Sequence, residues 1–269
     1  AMSCATTIYT NLDTVMLGFL KTDVDVGYYN AAVKIKNVLL GVVTSLGTVL
    51  LPRASYYVEH DMMDEFYRVA KKAIHFVLLL ATPLLVYFML FAKEGIFFLS
   101  GSAYSGAIRP MKIIMPTLLL IGLTNIMGIQ MLVPLGKEKI VLYSEIAGAI
   151  VDLILNAILI PMLASSGAAI GTLVAEIVVF AVQYGALRSM VAEAYRKVRY
   201  GTLILAVLIS SLLSLFIKLC SLGNFFTLCF SAMIYFGVYA VIMTLLKEPL
   251  VLEIEGQVWS MLKNKLKGN

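Results

Sequence analysis

Eight stretches of this chain stay apolar for about twenty residues each, the length that crosses hydrocarbon roughly 30 Å thick. They run Ser3–Leu20, Tyr28–Leu51, Ala73–Ala92, Pro110–Leu135, Ile140–Leu163, Ala168–Ser189, Thr202–Leu219 and Phe225–Leu246. Hydrocarbon offers no partner to a backbone amide, so a spanning segment of this length satisfies its own amides as a helix. The expectation is an all-α, polytopic membrane helix bundle of about eight transmembrane helices. Hydrophobic residues make up 61% of the 269 positions and charged residues 14%, outside the range of a soluble domain.

The net charge of +5 reads as a topology signal and not as a nucleic-acid footprint, because the basic residues sit at span ends. One set of alternate connections holds Arg53, Arg68, Lys71, Lys72, Lys137, Lys139, Arg188, Arg196, Lys197, Arg199, Lys247, Lys263, Lys265 and Lys267. The other holds Lys21, Lys93, Arg109, Lys112 and Lys218. Fourteen against five places the first set, and both ends of the chain, in the cytoplasm. The expected location is a membrane, with these connections on its cytoplasmic side. The opening residues are already apolar by Ile8 and read as part of a longer protein.

Two stretches read as interfacial helices: a short one with Met62, Phe66 and Val69 on one face, and a tail with Ile254, Val258, Trp259, Met261, Leu262 and Leu266 set against three lysines. Ser100-Gly101-Ser102-Ala103-Tyr104-Ser105-Gly106 reads as a loop or shallow re-entrant turn. Pro83, Pro116 and Pro161 lie in or at the ends of spans, where each removes a backbone bond. Cys4, Cys220 and Cys229 read as small buried hydrophobes, and His60 and His75 are too isolated for a histidine metal site.

The chemistry lies in polar residues at membrane depth. In the second span Asn30, Lys34, Asn37, Gly41, Thr44, Ser45 and Thr48 recur at spacings of three and four, on one helical face. A cation inside hydrocarbon is costly, so this stripe faces a bundle interior or a watery cavity. Lys34 either pairs a buried acid or attracts an anionic group of a substrate, with Asn30, Asn37 and Thr44 beside it. Lys36 lies about 200° further round and snorkels or meets a neighbouring helix.

The first span carries Asn11 and Asp13. The fifth aligns Glu145, Gly148, Asp152 and Asn156, and the sixth aligns Ala168, Thr172, Glu176, Val179 and Gln183. A carboxylate at this depth needs a cation or a proton. Hard cations take several oxygens, which Asp152, Asn156 and Thr172 can supply from adjacent helices. The small residues of Gly167-Ala168-Ala169-Ile170-Gly171 let those helices approach. Either sodium or a proton would serve as the coupling ion.

Several of these segments carry a family resemblance. Thr10-Asn11-Leu12-Asp13-Thr14-Val15-Met16-Leu17-Gly18, then Val26-Gly27-Tyr28-Tyr29-Asn30-Ala31-Ala32-Val33-Lys34-Ile35 and Leu51-Pro52-Arg53-Ala54-Ser55, resemble the opening of the second half of bacterial polysaccharide flippases. Asn156-Ala157-Ile158-Leu159-Ile160-Pro161, with Gly167-Ala168-Ala169-Ile170-Gly171-Thr172 after it, is similar to that family's paired later spans. The family sits in the multidrug/oligosaccharidyl-lipid/polysaccharide exporter superfamily.

The resemblance implies the C-terminal half of a two-lobe exporter: a six-helix lobe over 1–190, two additional helices over 191–246 and an amphipathic tail over 247–269. It implies ion-coupled alternating access that flips a polyprenyl-diphosphate-linked oligosaccharide for surface polysaccharide synthesis, with the N-terminal lobe and membrane lipid as partners. Lys34 becomes a contributor to a cationic lumen. Asp13, Asp152, Asn156 and Thr172, with the Ala168 carbonyl, fall where related lipid II flippases build a sodium site. The amide and carboxylate of the fifth span stand in the opposite order to that site. Glu145 and Glu176 are further candidates for the coupling ion. A cation-coupled multidrug exporter is the alternative, which a lysine in the lumen disfavours. A membrane glycosyltransferase or polymerase is a weaker one, because the longest loops offer no paired acid and base. No catalytic residue and no organic cofactor are expected.

Overall fold

The computed structural model describes residues 12–220, 222–253 and 255–256, without the side chains of 46, 48 and 49. Asn11, Cys4, the side chain of Thr48 and nearly all of the expected amphipathic tail lie outside them. The described residues form a helical bundle, and the chain divides into two compact units on either side of Arg196.

The first unit opens with α1, helical over 12–20, and α2, Asp23–Glu59. Thr22 starts α2 through a capping box: its hydroxyl accepts from the Asp25 amide, and the Asp25 carboxylate accepts from the Thr22 amide. The helix continues for 37 residues, through Pro52, and so runs well past the Leu51 end expected from hydropathy. Arg53, Glu59 and neighbouring polar residues end the apolar run without ending the helix. The interfacial helix expected around Phe66 is likewise no separate element. It is the first turn of α3, Met63–Leu90, where Phe66 is buried.

After α3 come α4, Ala92–Ser100, and a turn at Gly101, whose φ of +85° suits only glycine readily. A 3₁₀ segment over Ser102–Ala107 leads into α5, Ile108–Ile114, and α6, Thr117–Thr124. Pro116 lies at the break between them, where it has no amide to donate, and the two arms of this broken span bend by 45°. The second arm finishes in a π-helix, Asn125–Leu132. Then α7, Glu138–Leu163, and α8, Ser165–Arg196, form an antiparallel pair with more extensive mutual packing than any other two helices. A Cβ at Gly167 would strike the Leu159 carbonyl, which is why glycine stands where α8 meets α7.

The second unit holds α9, Tyr200–Leu215, and α10, Asn224–Leu245. Small residues face inward, with Ala206, Ser210 and Ser214 on α9 and Thr227 and Ser231 on α10. Arg199 closes the hairpin by donating to the Leu246 and Lys247 carbonyls at 3.1 Å each. Outward faces carry Leu208, Leu212, Phe226, Phe230 and Met233 exposed, a surface suited to lipid and not to water. Cys220 and Cys229 are exposed there too, not buried as expected.

Six described helices are long and apolar enough to cross a membrane, or seven with the bent pair counted as one span. The chain is thus an all-α, multi-pass membrane bundle. The first expected span begins outside the described residues.

Candidate functional site

Helix α2 positions two different chemistries on opposite faces. Asn30, Lys34, Asn37, Gly41 and Ser45 are exposed, whereas Tyr29, Ala32, Ile35, Lys36, Leu39 and Val43 are buried. The polar stripe read from the sequence therefore lies on an open face of this unit. Asn30 accepts from the Thr14 hydroxyl at 3.2 Å. Thr44 is half-buried, and its hydroxyl donates at 2.8 Å to the Leu40 carbonyl of its own helix.

Lys34 borders two cavities. One, of about 350 Å³, is lined by Gly27, Asn30, Ser100 and Tyr104. The other, of about 250 Å³, is walled by Val38, Leu39, Phe88 and Leu99 and is mostly apolar. Tyr104 reaches this position because its ring meets Tyr28 edge-on, with centroids 6.0 Å apart. The Ser100–Gly106 segment thus forms one wall beside Lys34.

Behind α2 the carboxylates gather. Asp13, Tyr29, Lys36, Asp152, Asn156, Thr172 and Glu176 are all buried, and Asp152 and Asn156 are 0% exposed. The Asn156 amide spends its two hydrogens on two different carboxylates: Asp13 Oδ1 at 2.5 Å and Asp152 Oδ2 at 3.0 Å. Tyr29 donates to Asp13 Oδ2. The single Thr172 hydroxyl hydrogen has three acceptors within reach, namely Asp13 Oδ2 at 2.8 Å, Tyr29 Oη at 2.9 Å and the Ala168 carbonyl at 3.0 Å. Lys36 feels the fields of Glu176 and Asp13 from the far side.

Three acids and one lysine make this group acid-rich. Asp152 Oδ1 and Asn156 Oδ1 are buried without a hydrogen-bond donor among the described residues. Both oxygens point toward Gly171, where a Cβ would intrude on them. Two buried oxygens without a donor among the described residues thus lie close against the Gly171 backbone, in a group that holds more acids than bases.

The structure therefore brings Asp13, Asp152, Asn156 and Thr172 together, with Glu176 beside Lys36. It does not bring Glu145 with them. Seven residues at 1.5 Å each put Glu145 roughly 10 Å along α7 from Asp152. There it lines a separate cavity with Thr124, Asn125, Val141 and Gln183. Lys36 does not snorkel; it is 8% exposed, packed inside the bundle within reach of the charges of Glu176 and Asp13. Tyr29 escaped the sequence reading altogether, although its spacing of seven from Lys36 marks a shared inward face.

The helices and their buried polar group define a multi-pass membrane bundle with ionisable residues packed inside it. Comparison with known proteins sharpens that class. Residues 1–58 match the family described as polysaccharide biosynthesis protein. An Escherichia coli K12 protein, provisionally named an O-antigen transporter, is 27% identical over 175 residues, covering 65% of this chain and 42% of its own length. An uncharacterised membrane protein of Methanocaldococcus jannaschii is 26% identical over 212 residues, covering 79% of this chain and 42% of its own. The lipid II flippase MurJ, in an inward closed conformation, has the same fold with a TM-score of 0.74 at 17% identity, over 92% of this chain and 52% of that one. The chain thus spans 42% of the length of each of these two curated relatives. The matches bear out the resemblance to the polysaccharide flippases of the multidrug/oligosaccharidyl-lipid/polysaccharide exporter superfamily.

Proposed function

We propose that this chain is the second lobe of a flippase that carries a lipid-linked oligosaccharide across a bacterial cytoplasmic membrane. The observation that carries the reading is Lys34: an exposed cation on a membrane-crossing helix, set between a cavity of mixed polarity and a mostly apolar one. A substrate with an anionic diphosphate joined to sugar on one side and hydrocarbon on the other matches that succession of surfaces. The partner lobe, supplied by the rest of the protein, would form the opposite wall of the cavity. The names of the relatives in Escherichia coli and of MurJ point to the same class of cargo.

The carboxylate group behind α2 is the proposed seat of the coupling ion. Asp13, Asp152, Asn156 and Thr172 would hold it, with Ala168 contributing its carbonyl. Sodium suits the donor-free oxygens, and a proton on Asp13 or Asp152 would suit the same excess of charge. Because one helix, α2, bears Tyr29 and Lys36 on one side and Lys34 on the other, ion binding and substrate binding would act on the same rigid rod. Export of cationic drugs fits less well, since Lys34 repels such cargo.

The test uses the full-length protein in a strain lacking its own copy. Lys34→Ala should sharply reduce surface polysaccharide while the protein remains in the membrane at normal level, and Lys34→Arg should restore most of it. Normal polysaccharide in the alanine strain would remove Lys34 from the mechanism.

A further inference from the structure

The cavity at Glu145 has no part in the function proposed above. It lies between three elements: the end of α6 and start of the π-helix, the first half of α7, and the second half of α8. Its volume is about 220 Å³, and its walls include Thr124, Asn125, Ile129, Glu145 and Gln183. We propose that it is a second site for a monovalent alkali cation, separate from the carboxylate group around Asp152.

Four observations converge. First, Glu145 is an acid in a membrane-crossing helix, and among the described residues no basic side chain forms an ion pair with it. A carboxylate at that depth needs a positive charge from somewhere. Second, Gln183 is 1% exposed, and its Oε1 has no hydrogen-bond donor. Its orientation is fixed from the other end: Gln183 Nε2 donates to Ser144 Oγ at 3.1 Å, and Ser144 spends its own hydrogen on the Val141 carbonyl at 2.7 Å. The amide oxygen is therefore left for the cavity, as a strong neutral ligand.

Third, Gly128 lets that amide lie against the π-helix, because a Cβ there would come within 3.0 Å of Gln183 Oε1. Fourth, the π-helix itself begins at the cavity wall, and such wide turns recur at functional sites. One carboxylate, one amide oxygen and the Thr124 hydroxyl, completed by water, give a single negative charge among neutral oxygens. That set matches one positive charge, whereas a divalent ion would draw on more carboxylates.

The site is isolated from the Asp152 group. On the facing surfaces of α7 and α8 the two polar patches are separated by Gly148 against Val179, where a Cβ on Gly148 would lie 2.6 Å from Val179 Cγ2. A dry, close-packed contact of that kind keeps ions at the two places distinct.

The experiment is sodium binding to the purified full-length protein, with sodium as the sole added ligand in choline buffer. Glu145→Gln, nearly isosteric, should bind one sodium fewer per chain than the wild type. Asp152→Asn should keep that sodium, so that a failure of the coupling-ion reading stays distinct from a failure of this one. Gly128→Ala, which displaces Gln183 and leaves Glu145 in place, should weaken the same sodium by roughly tenfold or more. An unchanged stoichiometry in a folded Glu145→Gln protein overturns the site. So does an infrared carboxylic-acid band at neutral pH that the Glu145→Gln change abolishes, since the compensating charge is then a proton.

Discussion

Lys34 and Lys36 stand two residues apart on α2, yet Lys34 is exposed beside two cavities while Lys36 is buried behind the helix, facing Asp13 and Glu176. About half a turn of helix thus separates an exposed cation beside two cavities from a buried cation within reach of the charges of two acids.

The difference predicts opposite responses to the same substitution. Lys36→Met removes the one base that, among the described residues, is buried beside Asp13 and Glu176, and so should destabilise the fold by leaving those acids less compensated. Thermal unfolding in sodium-free buffer should shift down by roughly 2–4 °C for each kcal/mol lost. Added sodium should recover part of the loss by binding only the folded state. Lys34→Met should leave the unfolding temperature unchanged and impair transport instead.

Asn156 is the bridge between Asp13 and Asp152. Asn156→Leu strips both carboxylates of a donor and should destabilise by about 1–3 kcal/mol for each group left unpaired. The resemblance to lipid II flippases implies the reverse order of amide and carboxylate on this helix. The double exchange Asp152→Asn with Asn156→Asp should therefore retain surface polysaccharide, while Asn156→Asp alone adds a fourth carboxylate to the group and abolishes it. Loss of polysaccharide in the double variant would show that the order itself is essential.

Gly171 guards the donor-free oxygens of Asp152 and Asn156. Gly171→Ala would push both oxygens aside, so the stabilisation by sodium expected of the wild type in thermal unfolding should vanish while the helix itself persists. Gly167→Ala meets a backbone carbonyl, Leu159, which cannot move aside. It should lower the unfolding temperature with or without sodium, and a sodium-sensitive outcome would contradict the packing role.

Ala164 joins α7 to α8 with a φ of +48°, a conformation in which a Cβ is strained. Ala164→Gly relieves that strain and should raise stability by about 0.5–1 kcal/mol, measured by thermal unfolding of the purified protein. A fall in stability would mean the side chain contributes packing that outweighs the strain.

Much of this arrangement is legible in the sequence, because a membrane leaves few solutions for an apolar run. The stripe from Asn30 to Ser45 and the aligned acids of α7 and α8 follow from helical period alone, and the structure places them on the faces the period assigns. The misreadings have specific physical causes. Pro52 and the charged residues after Leu51 look like an ending, but the backbone bonds of α2 continue into water. The stretch around Phe66 looks interfacial because hydropathy cannot register a helix that starts in water and enters the bilayer. Tyr29 and Lys36 were hidden because their partners, Asp13 and Glu176, lie on other helices, and single-chain periodicity carries no information about which faces meet. Glu145 shares a face with Asp152, but a shared face is a direction and not a distance. The π-helix has no composition of its own to announce it.

A single residue, Ala164, is all that separates α7 from α8, and the two helices remain packed along their length beyond it. Asp152 and Asn156 on one arm and Thr172 and Glu176 on the other are therefore held like teeth in one fixed jaw. Asp13 and Tyr29 come from α1 and α2, which reach this jaw through side chains, not a shared turn. Motion that opens or closes the buried group then falls to α1 and α2, and α2 would carry it directly to Lys34 on its other face.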